Sequence, residues 1–274
     1  MSGMNKMTQL LVSLAAICLI AASTMYVIQH NQIEATLEAN TQRAHRLSQI
    51  GDDALKASDL TLAAQAYSQA NNLRPDWSDG QRILAEIHAR QILQSGTQEP
   101  IRAMRLQKEL YEALLIGGGD RPLLLTAFGK MLMDRGFHDL ARPRLEEAIA
   151  LDPKRLAPFL YLGQSHIRKK AWTEAEASIA KALELQPEAP GVHYAMGQIK
   201  IGTKDWEAAA KHYAKAADAI GQGVVWGELA QIQGQREKWK EAEEAFNKAI
   251  SLNPKLVELY SAYGFTLAKN GKYA

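Results

Sequence analysis

The sequence predicts an all-α chain in which helical hairpins repeat after one apolar N-terminal helix. Three observations carry that expectation. The stretch AEASIAKALELQP, Ala175 to Pro187, returns as AEEAFNKAISLNP, Ala242 to Pro254, and as ARPRLEEAIALDP, Ala141 to Pro153. Around these copies, small and large residues fall into fixed rows. The run MTQLLVSLAAICLIAASTMYVIQ, Met7 to Gln29, carries no charge.

Residues 1–7 form a short N-terminal tail, and 8–28 read as a transmembrane anchor. A helix of that length rises about 30 Å, the thickness of a hydrocarbon core. A buried soluble helix and a cleaved signal peptide are the competing readings. Ala21 and Ser23 offer a small-x-small cleavage site, but the apolar run continues through Met25, Tyr26, Val27 and Ile28, which favours an uncleaved anchor. Ile17 before Cys18 is too bulky for a lipoprotein site. Lys6 precedes the span and no Lys or Arg follows until Arg43, so the positive-inside tendency exports the rest of the chain. Residues 29–43 form a juxtamembrane linker or helix.

The rows begin beyond it. A small residue recurs in a first helix at Gly51, Gly129, Gly163, Gly197, Ala230 and Gly264. The steps from Gly129 to Ala230 are 34, 34 and 33 residues. Ala63, Ala141, Ala175, Ala209 and Ala242 make a second row. Four residues later stand Tyr67, Leu145, Ile179, Tyr213 and Phe246, and three further on Ala70, Ala148, Ala182, Ala216 and Ala249. Such spacing puts Ala, large, Ala on one helical face, so two backbones can approach while the large side chain fills the space beside them. Pro75, Pro153, Pro187 and Pro254 mark the links between units, with Gly221 replacing proline once. Trp172, Trp206 and Trp239 recur just before the second helix and are expected to pack at the turn.

These rows resemble the tetratricopeptide repeat family, and the resemblance runs over most of the chain. It implies a right-handed α-solenoid of helix-turn-helix units whose first helices line a concave face. The units read as 44–77, 78–121, 122–155, 156–189, 190–222 and 223–256, about six repeats over 44–256. The step from Gly51 to Gly129 is 78 residues, so the second unit is divergent, with an insertion near 94–100. Its second helix starts at Pro100 and stops at the glycine run 117–119. No Lys-Ser or Lys-Thr pair follows that run, so it reads as a helix stop and not as a phosphate cradle. Residues 257–274 read as the first helix of an incomplete further repeat, with Tyr260, Tyr263 and Leu267 short of a covering helix. Either the chain as given is a fragment, the favoured expectation, or a partner covers that end.

The composition fits a binding module. Of the 274 residues 47% are apolar and 23% charged, an ordinary globular balance, and the net charge of +2 gives no basic stripe for nucleic acid. One cysteine rules out an intrachain disulfide framework. No pair of histidines has metal-ligand spacing beside a third ligand, and neither a G-x-S-x-G nor a nucleotide-binding motif occurs, so neither an enzyme nor a cofactor is expected. His166 and His193 read as packed rings facing the helix pair.

The row next to the small residue is the candidate site. It reads Asp52, Glu86, Lys130, Gln164, Gln198, Gln231 and Phe265. Three glutamines one repeat apart form a ladder of amide donors and acceptors suited to an extended peptide backbone. Leu160, Arg168, Tyr194 and Gln235 are the further groove positions. The lysines, arginines and asparagines by which some tetratricopeptide domains clamp a chaperone tail are missing. The expected function is a non-catalytic, membrane-anchored scaffold, an assembly or accessory subunit of a bacterial envelope complex, with its repeats in the periplasm and its span in the inner membrane. A cytoplasm-facing adaptor, and the repeat region of an enzyme whose catalytic domain lies outside this chain, are the alternatives.

Overall fold

The structure is a computed structural model that describes residues 6–95 and 100–271; the side chains of 6–18, 20 and 100 fall outside that description. The described residues form thirteen helices and no strand. They divide into two compact units, Met1–His88 and Ala89–Ala274, with the boundary inside one helix.

In the first unit, α1 (Lys6–Lys56) is a continuous helix of 51 residues, and residues 29–43, expected as a linker or helix, are part of it. Among the described residues no helix is long and apolar enough to cross a membrane. Most of the expected span at 8–28, residues 8–18 and 20, lies where side chains are not described. The last turns of α1 pack on α2 (Leu60–Leu73), which Asp59 caps by accepting from the amides of Thr61 and Leu62 at 3.0 and 2.9 Å. That satisfies two of the amides a helix start leaves unpaired. Gly51 shows why its row is small: a Cβ there would lie 2.6 Å from the Tyr67 ring. The hydroxyl of Tyr67 donates to Asp52 at 2.6 Å, and Trp77 stacks on its ring at 6.0 Å. The unit ends in the first part of α3 (Ser78–Ser95), where Ile87 joins the same core.

The second unit continues with α4 (Pro100–Ile116), α5 (Arg121–Asp134), α6 (His138–Leu151), α7 (Leu156–Arg168), α8 (Trp172–Leu185), α9 (Pro190–Gly202), α10 (Trp206–Ile220), α11 (Gly223–Gln235), α12 (Trp239–Leu252) and α13 (Val257–Lys269). The helices pair as hairpins α5–α6, α7–α8, α9–α10 and α11–α12, and each second helix also touches the next first helix. The rows set the packing. Leu145, Ile179 and Phe246 are wholly buried, as are the alanines before and after them. A Cβ on Gly129, Gly163 or Gly197 would come within 2.8, 2.4 and 2.5 Å of Leu145, Ile179 and Tyr213. Each glycine is the seat of the large residue of its own hairpin. The tryptophan row packs as expected where it can be followed: a Cβ on Gly202 would lie 2.5 Å from Trp172.

The breaks have local causes. Gly117, Gly118 and Gly119 all take positive φ (78°, 72° and 62°), which ends α4 and fits a helix stop. Gly221 ends α10 in the left-handed conformation and donates to the Ala217 carbonyl at 3.0 Å. In the other units the equivalent bond comes from the residue before proline, such as Asp152 to the Ala148 carbonyl at 3.0 Å, because proline itself has no N–H to donate. Within the hairpin turns, Gly136, Lys170, Lys204, Glu237 and Gly271 form a further row of left-handed residues that side-chain type does not announce. Ion pairs such as Arg155–Asp120 (3.0 Å) and Lys200–Glu176 (2.6 Å) join successive hairpins at the surface, where each contributes only about 0–1 kcal/mol. Of the side chains expected to lack cover on α13, Tyr263 stacks on Phe246 at 5.0 Å, and the Tyr260 hydroxyl donates to the Pro254 carbonyl at 3.0 Å.

Candidate partner-binding face

The candidate residues sit on the first helices of the second unit. These helices neighbour one another directly: α5 touches α7, α7 touches α9, and α11 touches α13. Lys130, on α5, pairs with Asp134 at 2.6 Å, and its ammonium lies 5.9 Å from the centroid of the Tyr161 ring on α7. Burial, with the charge of Asp134, pushes the Tyr161 phenol up to about 12. Gln164 and Gln198 are half-buried and Gln231 is exposed. The three glutamines therefore recur on α7, α9 and α11 without entering the core.

The other four candidates differ in kind. Leu160 is half-buried and packs against the α8–α9 cluster, so it acts as a hydrophobic contact between hairpins. Arg168 ends α7, and its charge helps hold the His138 ring below its usual pKa, after the larger effect of burial. Gln235 joins Gln231 in a pocket of about 100 Å³ with Trp239, Ala262, Phe265 and Lys269. Tyr194, on α9, reaches α11 and donates to Glu228 at 3.3 Å. Asp52 and Glu86 belong to the first unit, where Asp52 accepts from Tyr67 and Glu86 pairs with Arg82 at 2.8 Å.

Sequence reasoning missed Glu228. It stands three residues before Gln231, one turn away on the same face of α11. Burial holds its carboxyl above the usual range, against hydrogen bonds from Tyr194 and Tyr213. Burial and that carboxylate push the Tyr194 phenol up to about 12. Gln198 acts on the Tyr194 phenol in the opposite sense, so one of the ladder glutamines lies beside a polar cluster that spans two repeats. A lone glutamate among many carried no sequence signal; its partners become visible only when α9 and α11 are placed side by side.

A second cluster lies within a hairpin. His193 is 4% exposed, and its Nδ1 lies 3.0 Å from the Nδ1 of His212. One nitrogen must donate and the other accept, which two charged rings cannot do. Burial is the chief cause that lowers both pKa values, and Lys215 adds to it at each ring; Glu188 opposes at His193 and Glu176 at His212. The unfolded chain binds protons below about pH 6.5, while the folded rings resist them. Stability present above that pH is therefore lost as the pH falls towards the folded values. The melting temperature is expected to drop from pH 7.5 to pH 5, and His212→Gln should flatten the drop. An unchanged slope in that variant would remove the pair as its cause.

A stack of helical hairpins that carries polar side chains in register along its first helices defines a repeat scaffold. The tetratricopeptide repeat model matches residues 126–190, and a second model of the same repeat matches residues 224–256. Residues 126–190 and 224–256 are thus matched as tetratricopeptide repeats, and the fold of the chain is similar to that of tetratricopeptide repeat proteins. No curated protein matches it. Among solved structures it is similar to pilF of Pseudomonas aeruginosa, at 20% identity and a TM-score of 0.62, over 84% of this chain and 99% of that one. It is similar to PilW, a widely conserved type IV pilus biogenesis factor, at 19% identity and a TM-score of 0.60, over 80% and 97%. A tetratricopeptide repeat protein from Parabacteroides merdae gives 14% identity and a TM-score of 0.59, over 84% and 88%. At these identities the likeness is one of fold.

Proposed function

We propose that the chain is a non-catalytic scaffold whose first-helix face holds a segment of a partner protein. It serves as an assembly or accessory subunit of a bacterial envelope complex, anchored in the inner membrane by residues 8–28 with its repeats in the periplasm. The observation that carries the binding role is the register of Gln164, Gln198 and Gln231 on α7, α9 and α11, outside the core. Amides at one-repeat spacing offer an extended backbone both donors and acceptors. Tyr194 and Glu228 add a polar contact in the same row of helices. The fold shared with a pilus biogenesis factor supports the envelope setting, and the uncharged run Met7 to Gln29 supports the anchor.

The test is capture of the partner from membranes solubilised in mild detergent. Each amide contact is worth about 1 kcal/mol, so Gln164→Ala, Gln198→Ala and Gln231→Ala together should weaken capture on the order of 100-fold. Helicity and melting should stay nearly unchanged. Equal capture by the triple variant would remove the ladder. For the location, an export-dependent reporter fused after Ala274 should be active; activity only of a cytoplasmic reporter would reverse the topology.

A further inference from the structure

The N-terminal half of α1 carries a surface that the repeats do not use. Residues 29–39, beyond the proposed anchor, are exposed on every side of the helix, with Ile33 at 66% and Leu37 at 60% exposure. Large apolar side chains on a lone helix need a reason.

Their spacing supplies one. Tyr26, His30, Ile33, Leu37, Asn40, Ala44 and Leu47 follow one another in steps of 4, 3, 4, 3, 4 and 3 residues. That alternation is the 3.5-residue period of a coiled-coil seam, with His30, Leu37 and Ala44 at one core position and Tyr26, Ile33, Asn40 and Leu47 at the other. Ala44 is already buried in the first repeat and Tyr26 lies within the proposed anchor, so the free seam runs from His30 to Asn40. A trough along this part of the helix is lined by Gln29, Gln32, Ile33, Thr36, Leu37 and Asn40, which are the seam and its flanks.

We infer that this segment pairs with the same segment of a second copy of the chain, in parallel and in register. The seam is complementary to itself. In that arrangement Ile33 and Leu37 each meet their twins. Asn40 meets Asn40, and an amide can both donate to and accept from another. A polar residue at one core position fixes register at some expense of stability. The flanking positions of the free seam would set Gln29 against the second copy's Glu34 and Thr36 against its Thr41, so no like charges oppose. Leucine and isoleucine at these two positions admit three or four strands as well as two, with the same contact between neighbours.

The test uses the full chain in mild detergent, with its one cysteine removed as Cys18→Ser. Single cysteines are placed as Ile33→Cys or Leu37→Cys on the seam and Ala35→Cys on the far side, and a mild oxidant is added. A disulfide needs Cα atoms within about 7 Å, so the seam variants should give a product of twice the 30.3 kDa monomer mass about tenfold faster than Ala35→Cys. Ile33→Glu with Leu37→Glu should bring the sedimenting species down to the monomer without loss of helicity. Equal rates at 33 and 35, no disulfide at any position, or an unchanged mass in the double glutamate variant would overturn the inference. Crosslinking in cells from position 33 to a different protein would overturn it as well.

Discussion

Phe246→Ala is expected to lower the unfolding free energy by about 3–5 kcal/mol, the range for removing a fully buried aromatic side chain. Phe246 is wholly buried between the small residue Ala230 and the ring of Tyr263, in a cluster that also holds Trp226 and Ala262. Three helices, α11, α12 and α13, meet on this one side chain. Alanine leaves a cavity that the neighbouring alanines are too short to fill, and it removes the ring on which Tyr263 stacks. Repeat stability is close to a sum of units and their interfaces, so the loss should concentrate in α11–α13. Trp226 lies in the same cluster, and in a background with the other four tryptophans replaced by phenylalanine its fluorescence in urea should report an earlier transition than the far-ultraviolet signal of the whole chain. Coincident transitions with a shift below about 1 kcal/mol would show that the site collapses at little cost.

The second large effect tests the pairing of glycine with its large residue. Ile179→Ala should cost about 2–5 kcal/mol, because the side chain is wholly buried in the α8–α9 cluster. Gly163→Leu should cost about 1–3 kcal/mol through overpacking. A Cβ at position 163 would already lie 2.4 Å from Ile179 Cδ1 and 2.5 Å from its Cγ1. Ile179 is β-branched and enclosed, so it has no other rotamer to adopt. The two changes together should destabilise less than their sum, since the leucine enters the space that the isoleucine left. A coupling of about 1–3 kcal/mol in the double-mutant cycle is expected. Strict additivity would mean that the two positions do not share a seat.

The hairpins were legible because their packing is local. Gly163 and Ile179 are 16 residues apart in one hairpin, so their complementarity repeats with the sequence period. The same holds for the alanine rows and for Gly221, whose place in the proline row marked it as a terminator. The length of α1 was also open to view: from Lys6 to Lys56 the sequence has no proline and one glycine, Gly51, although residues 29–43 read equally as a linker or a helix. The left-handed turn residues Lys170, Lys204 and Glu237 were hidden, because the fold places them there against their own preference. The site was legible only in outline. Counting from the small residue reached Gln164, Gln198 and Gln231, but it also selected Leu160, which packs between hairpins. It passed over Glu228, whose role depends on a tyrosine 34 residues earlier on another helix.

The central claim is that the first-helix face grips another polypeptide. Photoreactive benzoylphenylalanine at Gln198, compared with the same group at Lys181, tests it most directly. Gln198 lies on α9 beside Tyr194, whereas Lys181 projects from α8 with its side chain 60% exposed. Irradiation in cells should yield a covalent adduct to one partner protein from position 198 and none from position 181. An adduct from position 181 with none from position 198 would place the partner on the second helices and contradict the account.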